Sequence, residues 1–229
     1  MTTTTTFTTP GTTIASIVLE HPECASVFQD HRIDFCCRGG VSLQDACADK
    51  GIDLASITAA LERAVRDRSG RHEQDFRAMS QGELVDHIVR RHHGYLRRTM
   101  GPVAAMAAKV ARVHGEHNPK LVALDAAYRE LVAALEPHLE QEERVLFPAL
   151  LSQPVDRARV ASELADMKTE HLAVGAVLER IRTAADDFTL PDWACNTYRA
   201  LFSELEAMEG DVLRHVHLEN HVLAARVVA

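Results

Sequence analysis

Four long stretches of helical hydrophobic periodicity constrain the fold of this 229-residue chain more than any other feature. Their apolar positions recur every three to four residues, as in an amphipathic helix that buries one face. Prolines lie near the ends of these stretches, where they terminate helices. No stretch alternates as a half-buried strand does. The pattern predicts an all-α protein built on an up-down-up-down four-helix bundle, with helices at about 81–113, 119–150, 155–185 and 192–226.

A shorter region with a different composition precedes the bundle. It carries four of the five cysteines and is predicted to form short helices, with Ser42 and Asp53 as N-caps. A threonine-rich start is expected to be a flexible tail, and a stretch rich in Arg, Asp, Ser, Gly and Gln is expected to be a linker. The predicted parts are a tail at 1–12, a small helical domain at 13–66, a linker at 67–80 and the bundle at 81–226.

Charge and hydropathy exclude several functional classes. With 25 Lys+Arg against 33 Asp+Glu, the formal net charge is −8, which does not favour sequence-independent binding to nucleic acid. No stretch approaches the roughly 18 uninterrupted apolar residues of a membrane span. The N-terminus lacks the basic and apolar segments of a secretory signal. We therefore expect a cytoplasmic protein whose cysteines stay reduced.

Histidines and glutamates repeat along the bundle in a pattern that indicates a metal site. The pattern His-x3-Glu occurs at His138 with Glu142 and again at His215 with Glu219. Residues four apart share a helix face, so each pair can present an imidazole and a carboxylate to one point. The other two helices each supply a histidine at a matching interval, 45 residues before His138 and 44 before His215. These histidines are His93 and His171.

His114 near the end of the first helix can supply a fifth imidazole. Five histidines and two carboxylates exceed what one metal binds, whereas two metals bridged by the carboxylates could use them. This donor set suits iron, manganese or zinc and not calcium or magnesium. Two ambiguities stay open at this point: His92 could replace His93, and His217 and His221 also share a face. Glu143 and Glu170 adjoin candidate ligands and could orient them. The candidate ligands are His93, His114, His138, Glu142, His171, His215 and Glu219.

These motifs resemble those of the haemerythrin-type (HHE cation-binding) domain over about residues 81–226. The residues that carry the resemblance are Arg91-His92-His93, His114-Gly115, His138-x3-Glu142-Glu143 with Leu146-Phe147-Pro148, Glu170-His171, and His215-x3-Glu219-Asn220.

The N-terminal region resembles a second family. The run Ile33-Asp34-Phe35-Cys36-Cys37 followed by Gly39-Gly40 is similar to the ScdA-type N-terminal domain. Together, the two halves resemble the iron–sulfur cluster repair di-iron proteins (the RIC family, ScdA/YtfE-like). One departure is visible, because many relatives have Cys-Cys-Gly-Gly, whereas Arg38 stands between Cys37 and Gly39 in this chain.

The resemblance implies a non-haem di-iron centre that is bridged by Glu142 and Glu219, with an oxo bridge as a further option. It also implies repair of iron–sulfur clusters that nitric oxide or oxidants have damaged. Iron donation to client iron–sulfur proteins and binding or reduction of nitric oxide are both open, and nitric oxide reductase-type enzyme activity is one option among these. The terminal ligands it implies are His93, His114, His138, His171 and His215.

The adjacent cysteines Cys36 and Cys37 are the candidates for further chemistry. Arg38 and the N-terminus of the following helix could lower a thiol pKa and make that thiol nucleophilic. The other cysteines, Cys24, Cys47 and Cys195, are expected to be packing residues. A domain of this size is marginal alone, so we expect it to dock on the bundle or to form a homodimer.

Two other functional classes compete with cluster repair. A haemerythrin-like oxygen carrier or redox sensor would bind molecular oxygen reversibly and would not depend on the cysteines. A hydrolase with two zinc ions would contain zinc and lack visible absorption. A metal analysis with an optical spectrum separates the three.

Overall fold

The computed structural model describes residues 7–9, 11–67 and 75–228, and within these ranges the secondary structure is helical. It contains no strand in the described residues, where the sheet-like pairing is an isolated bridge between Thr13 and Ser42. The predicted all-α class is therefore confirmed. No helix in the described part is both long and apolar enough to cross a membrane.

The small N-terminal domain consists of four short helices. Ser42 accepts a hydrogen bond from the backbone N–H of Asp45, and Asp53 accepts one from Ser56 at 2.8 Å, so both predicted N-caps are confirmed. Gly51 ends the third helix at φ 66°, a left-handed conformation that favours glycine. The helices are α1 (Ile14–Glu20), α2 (Cys24–Asp30), α3 (Leu43–Lys50) and α4 (Leu54–Asp67).

The second part is a bundle of four long helices, three of which contain a π-helical turn. The first bundle helix comprises α5 (Gln81–His87), π1 (Ile88–His93) and α6 (Gly94–His114). The second comprises α7 (Lys120–Gln141), π2 (Glu142–Leu146) and α8 (Phe147–Leu151). The third is α9 (Arg157–Ala184), and the fourth comprises α10 (Asn196–Leu218), π3 (Glu219–Leu223) and α11 (Ala225–Val228).

Two apolar clusters fill the interior and leave a polar layer between them. One cluster lies on the side of Leu96, Leu135 and Val212 and extends into the N-terminal domain. The other contains Leu84, Leu146 and Leu218 among others. Between these two clusters, buried polar residues interrupt the helical spacing of the apolar residues. The polar layer is thus held by packed apolar side chains on both sides.

The N-terminal domain docks on the bundle of the same chain. Gln29 Nε2 donates to Glu209 Oε2 at 2.7 Å. Arg32 forms ion pairs with Glu179 at 2.8 Å and Asp187 at 2.5 Å. The first apolar cluster is continuous across both domains, which supplies the burial that a small domain lacks by itself.

The structure corrects one expectation about the ends of this domain. The predicted tail at 1–12 includes Phe7, which is buried in the apolar cluster and makes an edge-on ring contact with His21. An aromatic side chain gains too much from burial to stay in solvent when a groove is available. Residues 1–6 and 10 of the predicted tail and half of the predicted linker, at 68–74, lie outside the described residues.

Candidate metal centre

Six of the seven candidate ligands converge in the polar layer of the bundle. They come from all four bundle helices, and none is more than 3% exposed. This burial is unusual for ionisable side chains, which are rarely buried without a partner. The six residues are His93, His138, Glu142, His171, His215 and Glu219.

The three π-helical turns fall at these ligands. His93 is the last residue of π1, whereas Glu142 and Glu219 are the first residues of π2 and π3. The backbone N–H of Phe147 bonds to the carbonyl of Glu142, five residues back, and Ala224 does the same with Glu219. Such widened turns are rare and frequently occur at functional sites. The i, i+4 spacing places each His-Glu pair on one face but gives no sign of these turns.

Each carboxylate faces both halves of the cluster. Glu142 Oε2 lies 3.4 Å from His93 Nε2, and Glu142 Oε1 lies 3.5 Å from His138 Nε2. Glu219 Oε1 lies 3.7 Å from His93 Nε2, and Glu219 Oε2 lies 3.2 Å from His171 Nε2. Two positions result, one beside His93 and the other beside His138 and His171, and both carboxylates reach each of them.

His215 completes the first position. One of its ring nitrogens lies within 4.8 Å of ligand atoms of both His93 and Glu219. The Nε2 atoms of His138 and His171 point at each other across 3.2 Å at the second position. Each position therefore has two imidazoles and an oxygen of each carboxylate.

The hydrogen bonding of these atoms fits bound cations. His93 Nε2, both oxygens of Glu142 and Glu219, and both nitrogens of His215 have no hydrogen-bond partner among the described residues. Buried polar atoms are otherwise almost always hydrogen-bonded, since leaving them without a partner costs free energy. Imidazole nitrogen with carboxylate oxygen is a donor set for iron, manganese or zinc. The six residues present therefore fit a transition-metal site.

The electrostatics of the cluster favour positive charge. Burial alone would lower the pKa of His93, but the adjacent carboxylates of Glu142 and Glu219 raise it to about 10. Burial likewise opposes the charged form of His171, yet Glu219 and Glu142 raise its pKa to about 9. Burial lowers the pKa of His215 well below its usual value, which leaves a neutral ring that can bind a metal.

Outer hydrogen bonds orient three of the four imidazoles. In each case Nδ1 donates outward, so that Nε2 is directed into the cluster. Arg97 donates to the same oxygen of Glu143 that accepts from His93, which anchors that carboxylate. The pairs are His93 Nδ1 with Glu143 at 2.8 Å, His138 Nδ1 with Glu170 at 2.7 Å, and His171 Nδ1 with Asn220 at 3.3 Å.

The structure does not bring His114 into the cluster, which corrects the predicted ligand set. His114 ends α6, and its Nε2 lies 3.3 Å from the Sγ of Cys195. Its ring contacts Trp193 and Tyr198 near the start of the fourth bundle helix. His93 and His114 are separated along one helix by about 30 Å, at 1.5 Å per residue. That helical rise is a signal in the sequence that would have excluded His114.

The remaining histidines near the centre have other contacts. His92 is buried beside His93, but its Nδ1 bonds to Asp211 at 3.0 Å, and these two residues form a separate group of possible ligand atoms with His215. His217 Nδ1 donates to the carbonyl of Phe35 at 3.2 Å, and His221 Nε2 donates to that of Cys36 at 2.9 Å. The pair His217 and His221 thus holds the cysteine loop of the N-terminal domain.

Cys36 and Cys37 lie on that loop, beside the metal cluster. Asn220 links the two, because its Nδ2 donates to the Cys36 carbonyl at 3.0 Å while its Oδ1 faces His171. The two thiols have opposite pKa shifts. The hydrogen bond with Cys37 and burial raise the pKa of Cys36. The same hydrogen bond lowers the pKa of Cys37, and the positive charges of His171 and Arg38 lower it further. Asn220 belongs to the motif that follows His215 in the sequence, but the sequence assigns it no role, and its contacts appear only in the structure.

Comparison with known proteins identifies both halves of the chain. Residues 84–227 match the family model described as the Hemerythrin HHE cation binding domain. This defines the class, which is a haemerythrin-type helical bundle. Residues 10–65 match ScdA_N, a domain of unknown function.

Similar proteins carry both halves over most of their length. The chain is 32% identical over 215 residues to the iron-sulfur cluster repair protein YtfE of Musicola paradisiaca, covering 94% of this chain and 95% of that protein. It is 30% identical to the iron-sulfur cluster repair protein ScdA of Staphylococcus haemolyticus, covering 92% and 95%. A probable iron-sulfur cluster repair protein of Haemophilus influenzae is 29% identical over 94% and 96%. The chain thus belongs to the ScdA/YtfE family of haemerythrin HHE-domain proteins.

Proposed function

We propose that this chain binds two non-haem iron ions and repairs iron–sulfur clusters that nitric oxide or oxidants have damaged. The observation that carries the proposal is the buried set of four imidazoles and two carboxylates whose inward atoms have no hydrogen-bond partner among the described residues. The relatives of this chain are named as iron-sulfur cluster repair proteins, which supports the role. The site of action would be the cytoplasm, where thiols and iron–sulfur clients stay reduced.

The bound irons would supply redox chemistry and a Lewis-acidic position for a small molecule such as nitric oxide or molecular oxygen. Glu142 and Glu219 would each bridge the two positions through their two oxygens, in line with the 3.2–3.7 Å contacts they make with histidines on both sides. His93 and His215 would hold one iron, and His138 and His171 would hold the other.

The surrounding residues cover one side of the centre and orient the imidazoles. Phe147 stacks on the ring of His93 with ring centroids 5.8 Å apart and covers that position from the apolar side. Glu143 and Glu170 hold the Nδ1 protons of His93 and His138, which fixes the tautomer that presents Nε2 to a metal.

A cavity gives small molecules a route toward the centre. It has a volume of about 340 Å³ and is lined by Glu142 together with Leu146, Met167 and Glu170. Glu142 therefore faces both this cavity and the two metal positions. Nitric oxide or oxygen could approach the centre here without opening the bundle.

The docked cysteine loop favours repair over reversible oxygen carriage. A carrier needs only the bundle, whereas this chain adds a domain whose cysteine loop is hydrogen-bonded to Asn220 and His221, directly after Glu219. We infer that the thiols take part in the exchange with client iron–sulfur proteins. The oxygen-binding alternative has no observation of its own in this structure.

The test combines metal content with repair. Iron-loaded protein is mixed with a client whose [4Fe–4S] cluster has been damaged by nitric oxide, and recovery of the client's activity is followed beside nitric oxide binding in the optical spectrum. We expect about two irons per chain, as in carboxylate-bridged bundle sites, and client recovery that Glu219→Gln abolishes. Reversible oxygenation without recovery of any client would contradict the proposal and favour the carrier.

A further inference from the structure

A second group of metal-binding atoms lies outside the His/Glu centre. Asp34, Cys36 and Cys37 each present one ligand atom, and these three atoms all lie within 4.8 Å of one another. We call this group the cysteine cluster. It occupies the loop between α2 and α3, and the sequence motif that marks it gave no role to Asp34.

The spacing of its atoms matches that of ligands on one ion. Two thiolates at about 2.3 Å from a tetrahedral metal are separated by about 3.8 Å, and a thiolate and a carboxylate oxygen by about 3.6 Å. The Cys36 and Cys37 Sγ atoms are 3.6 Å apart, and Cys36 Sγ is 3.3 Å from Asp34 Oδ1. A small outward movement of the side chains would place an ion between them.

The same pair is poorly arranged for a disulfide. Consecutive Cα atoms are about 3.8 Å apart, below the usual range of about 4.4–6.8 Å for bridged cysteines. Both cysteines are thiols in the structure. Chelation of one ion requires no such distortion, so the observed geometry suits metal binding better than oxidation.

Asp34 sets the conformation of the loop. Its Oδ1 accepts the backbone N–H of Cys36 at 3.1 Å and that of Cys37 at 2.8 Å. These bonds turn both thiols to the same side as the carboxylate. The same Oδ1 is the atom that lies 3.3 Å from Cys36 Sγ, so the oxygen that holds the loop is also the one placed to bind an ion, and the second oxygen of Asp34 appears in none of these contacts.

The cysteine cluster opens on a cavity between the two domains. This cavity has a volume of about 390 Å³ and is lined by the three cluster residues and by Leu172 and Gly175 of the third bundle helix. Leu172 directly follows His171, a ligand of the His/Glu centre. The cavity therefore lies next to the second metal position, on the side where Asn220 joins the cysteine loop to His171.

We propose that Asp34, Cys36 and Cys37 form a second, thiolate-rich site that binds one divalent transition-metal ion passing between the His/Glu centre and a client. The inference rests on the proposed function for the identity of the ion, iron(II), but the site itself rests on the cluster geometry. Binding forms two metal–sulfur bonds and one metal–oxygen bond and releases the two thiol protons to solvent. No oxidant or reductant is needed. The guanidinium of Arg38, which lines the same cavity, would offset the resulting negative charge.

Cobalt(II) titration of the full-length, metal-free protein tests the site directly. Thiolate ligation gives a sulfur-to-cobalt charge-transfer band in the near ultraviolet that imidazole and carboxylate ligands do not give. We expect this band in the wild-type protein and its loss in Cys37→Ser. Cys195→Ser, at an exposed cysteine remote from the cluster, should retain it.

Asp34→Asn separates ligation from loop structure. Asparagine keeps the Oδ1 that accepts the two backbone N–H groups, so the loop should fold, but it loses the charge that binds the ion. We expect at least about a tenfold loss of cobalt affinity, the size usual for removal of a group at a metal site. Affinity equal to that of the wild type would overturn the assignment of Asp34.

The two proposals fail in different ways. If the band is absent while two metals still bind at the His/Glu centre, the cysteine site is wrong and the proposed centre stands. If the band is present but the His/Glu centre binds no iron, the cysteine site stands and the assignment of iron(II) as its ion is wrong. Passage is tested by the rate at which a chelator removes iron from the loaded protein, which should fall in Asp34→Asn and Cys37→Ser. Equal rates would overturn passage.

Discussion

The His/Glu centre and the cysteine cluster are neighbours that are built in opposite ways. The centre takes its six side chains from four long helices, between two apolar clusters, and none is more than 3% exposed. The cysteine cluster takes three side chains from one loop at a domain boundary, where Cys37 is only half-buried. A site fixed by a packed bundle holds an ion firmly, whereas a site on a loop can release one. This difference suggests that the His/Glu centre retains its ions and that the cysteine cluster exchanges its ion.

Removal of a bridging carboxylate should abolish iron retention by the His/Glu centre. Glu219→Gln takes an anionic oxygen away from both positions, so we expect most of the bound iron to be lost. His138→Ala removes a ligand of one position only, and about half of the iron should remain. Metal analysis after reconstitution measures both, with the exposed Glu140→Gln on the second bundle helix as a control.

Thermal unfolding gives an independent check on these variants. An ion that binds the folded state alone raises its stability in proportion to the logarithm of its free concentration, so iron should raise the Tm of the wild type. The Tm of Glu219→Gln should barely respond. A Glu219→Gln variant that kept a full complement of iron would refute the bridging role.

Asn220 joins the two sites, and its replacement should affect both. Asn220→Ala removes the partner of His171 Nδ1 and the donor to the Cys36 carbonyl. We expect iron affinity at the adjacent position to fall about 10–100-fold, as is usual for a residue that orients a ligand. Chelator competition measures the loss.

The Asn220→Asp variant tests the two contacts of this residue separately. Aspartate keeps an oxygen toward His171 but loses the N–H donor toward Cys36. Iron affinity should therefore stay near that of the wild type, while alkylation of Cys37 by iodoacetamide should become faster. Equal losses of iron affinity in the aspartate and alanine variants would show that the two sites are not joined in this way.

Gly39 allows the cysteine loop to approach the bundle, so Gly39→Ala should loosen the loop and spare the centre. An added Cβ would lie 2.4 Å from the Phe35 carbonyl oxygen and 2.7 Å from Ala15 Cβ. We expect destabilisation of about 1–3 kcal/mol, typical of overpacking, with unchanged iron content. Gly40→Ala is the matched control, since its Cβ would meet nothing within 4 Å. Denaturant unfolding compares the two, and equal stabilities would contradict the close fit.

The smallest effect concerns pH and the contact of Arg32 with the bundle. Arg32 holds the pKa of Asp187 below its usual value, so the pair contributes stability above the unfolded pKa, and this is lost as pH falls through the folded pKa. Because both side chains are partly exposed, the pair should contribute about a few tenths of a kcal/mol to the free energy of unfolding, as surface ion pairs do. Arg32→Gln should reduce that acid dependence, and the remainder comes from Arg182, which also pairs with Asp187 at 3.6 Å. Arg90→Gln, at a remote exposed pair, should leave it intact.

The regular helices account for most of what the sequence predicts correctly. The spacing of His138 with Glu142 and of His215 with Glu219 places each pair on one helix face, and the structure brings these four side chains together with His93 and His171. Ser42 and Asp53 cap helices as their side chains suggest. Local periodicity and capping chemistry decide these features, and both are written in short stretches of sequence.

The errors and omissions arise where distance between helices or loop conformation decides. Residue type alone groups His114 with the ligands, although helical rise puts it about 30 Å from His93. The roles of Asn220 and Asp34 depend on how one domain docks on the other, which local patterns do not encode. The threonines around Phe7 predict a flexible tail, but the aromatic ring of Phe7 packs against the core.

We propose that Glu142 and Glu219 bridge two irons held by four histidines without His114. Mössbauer spectroscopy of protein loaded with isotopically enriched iron, on wild type and His114→Ala, distinguishes this ligand set from one that includes His114. We expect about two irons per chain, magnetically coupled through shared ligands, with the same spectrum in both proteins. A single uncoupled iron in the wild type, or loss of the coupled pair in His114→Ala, would contradict it.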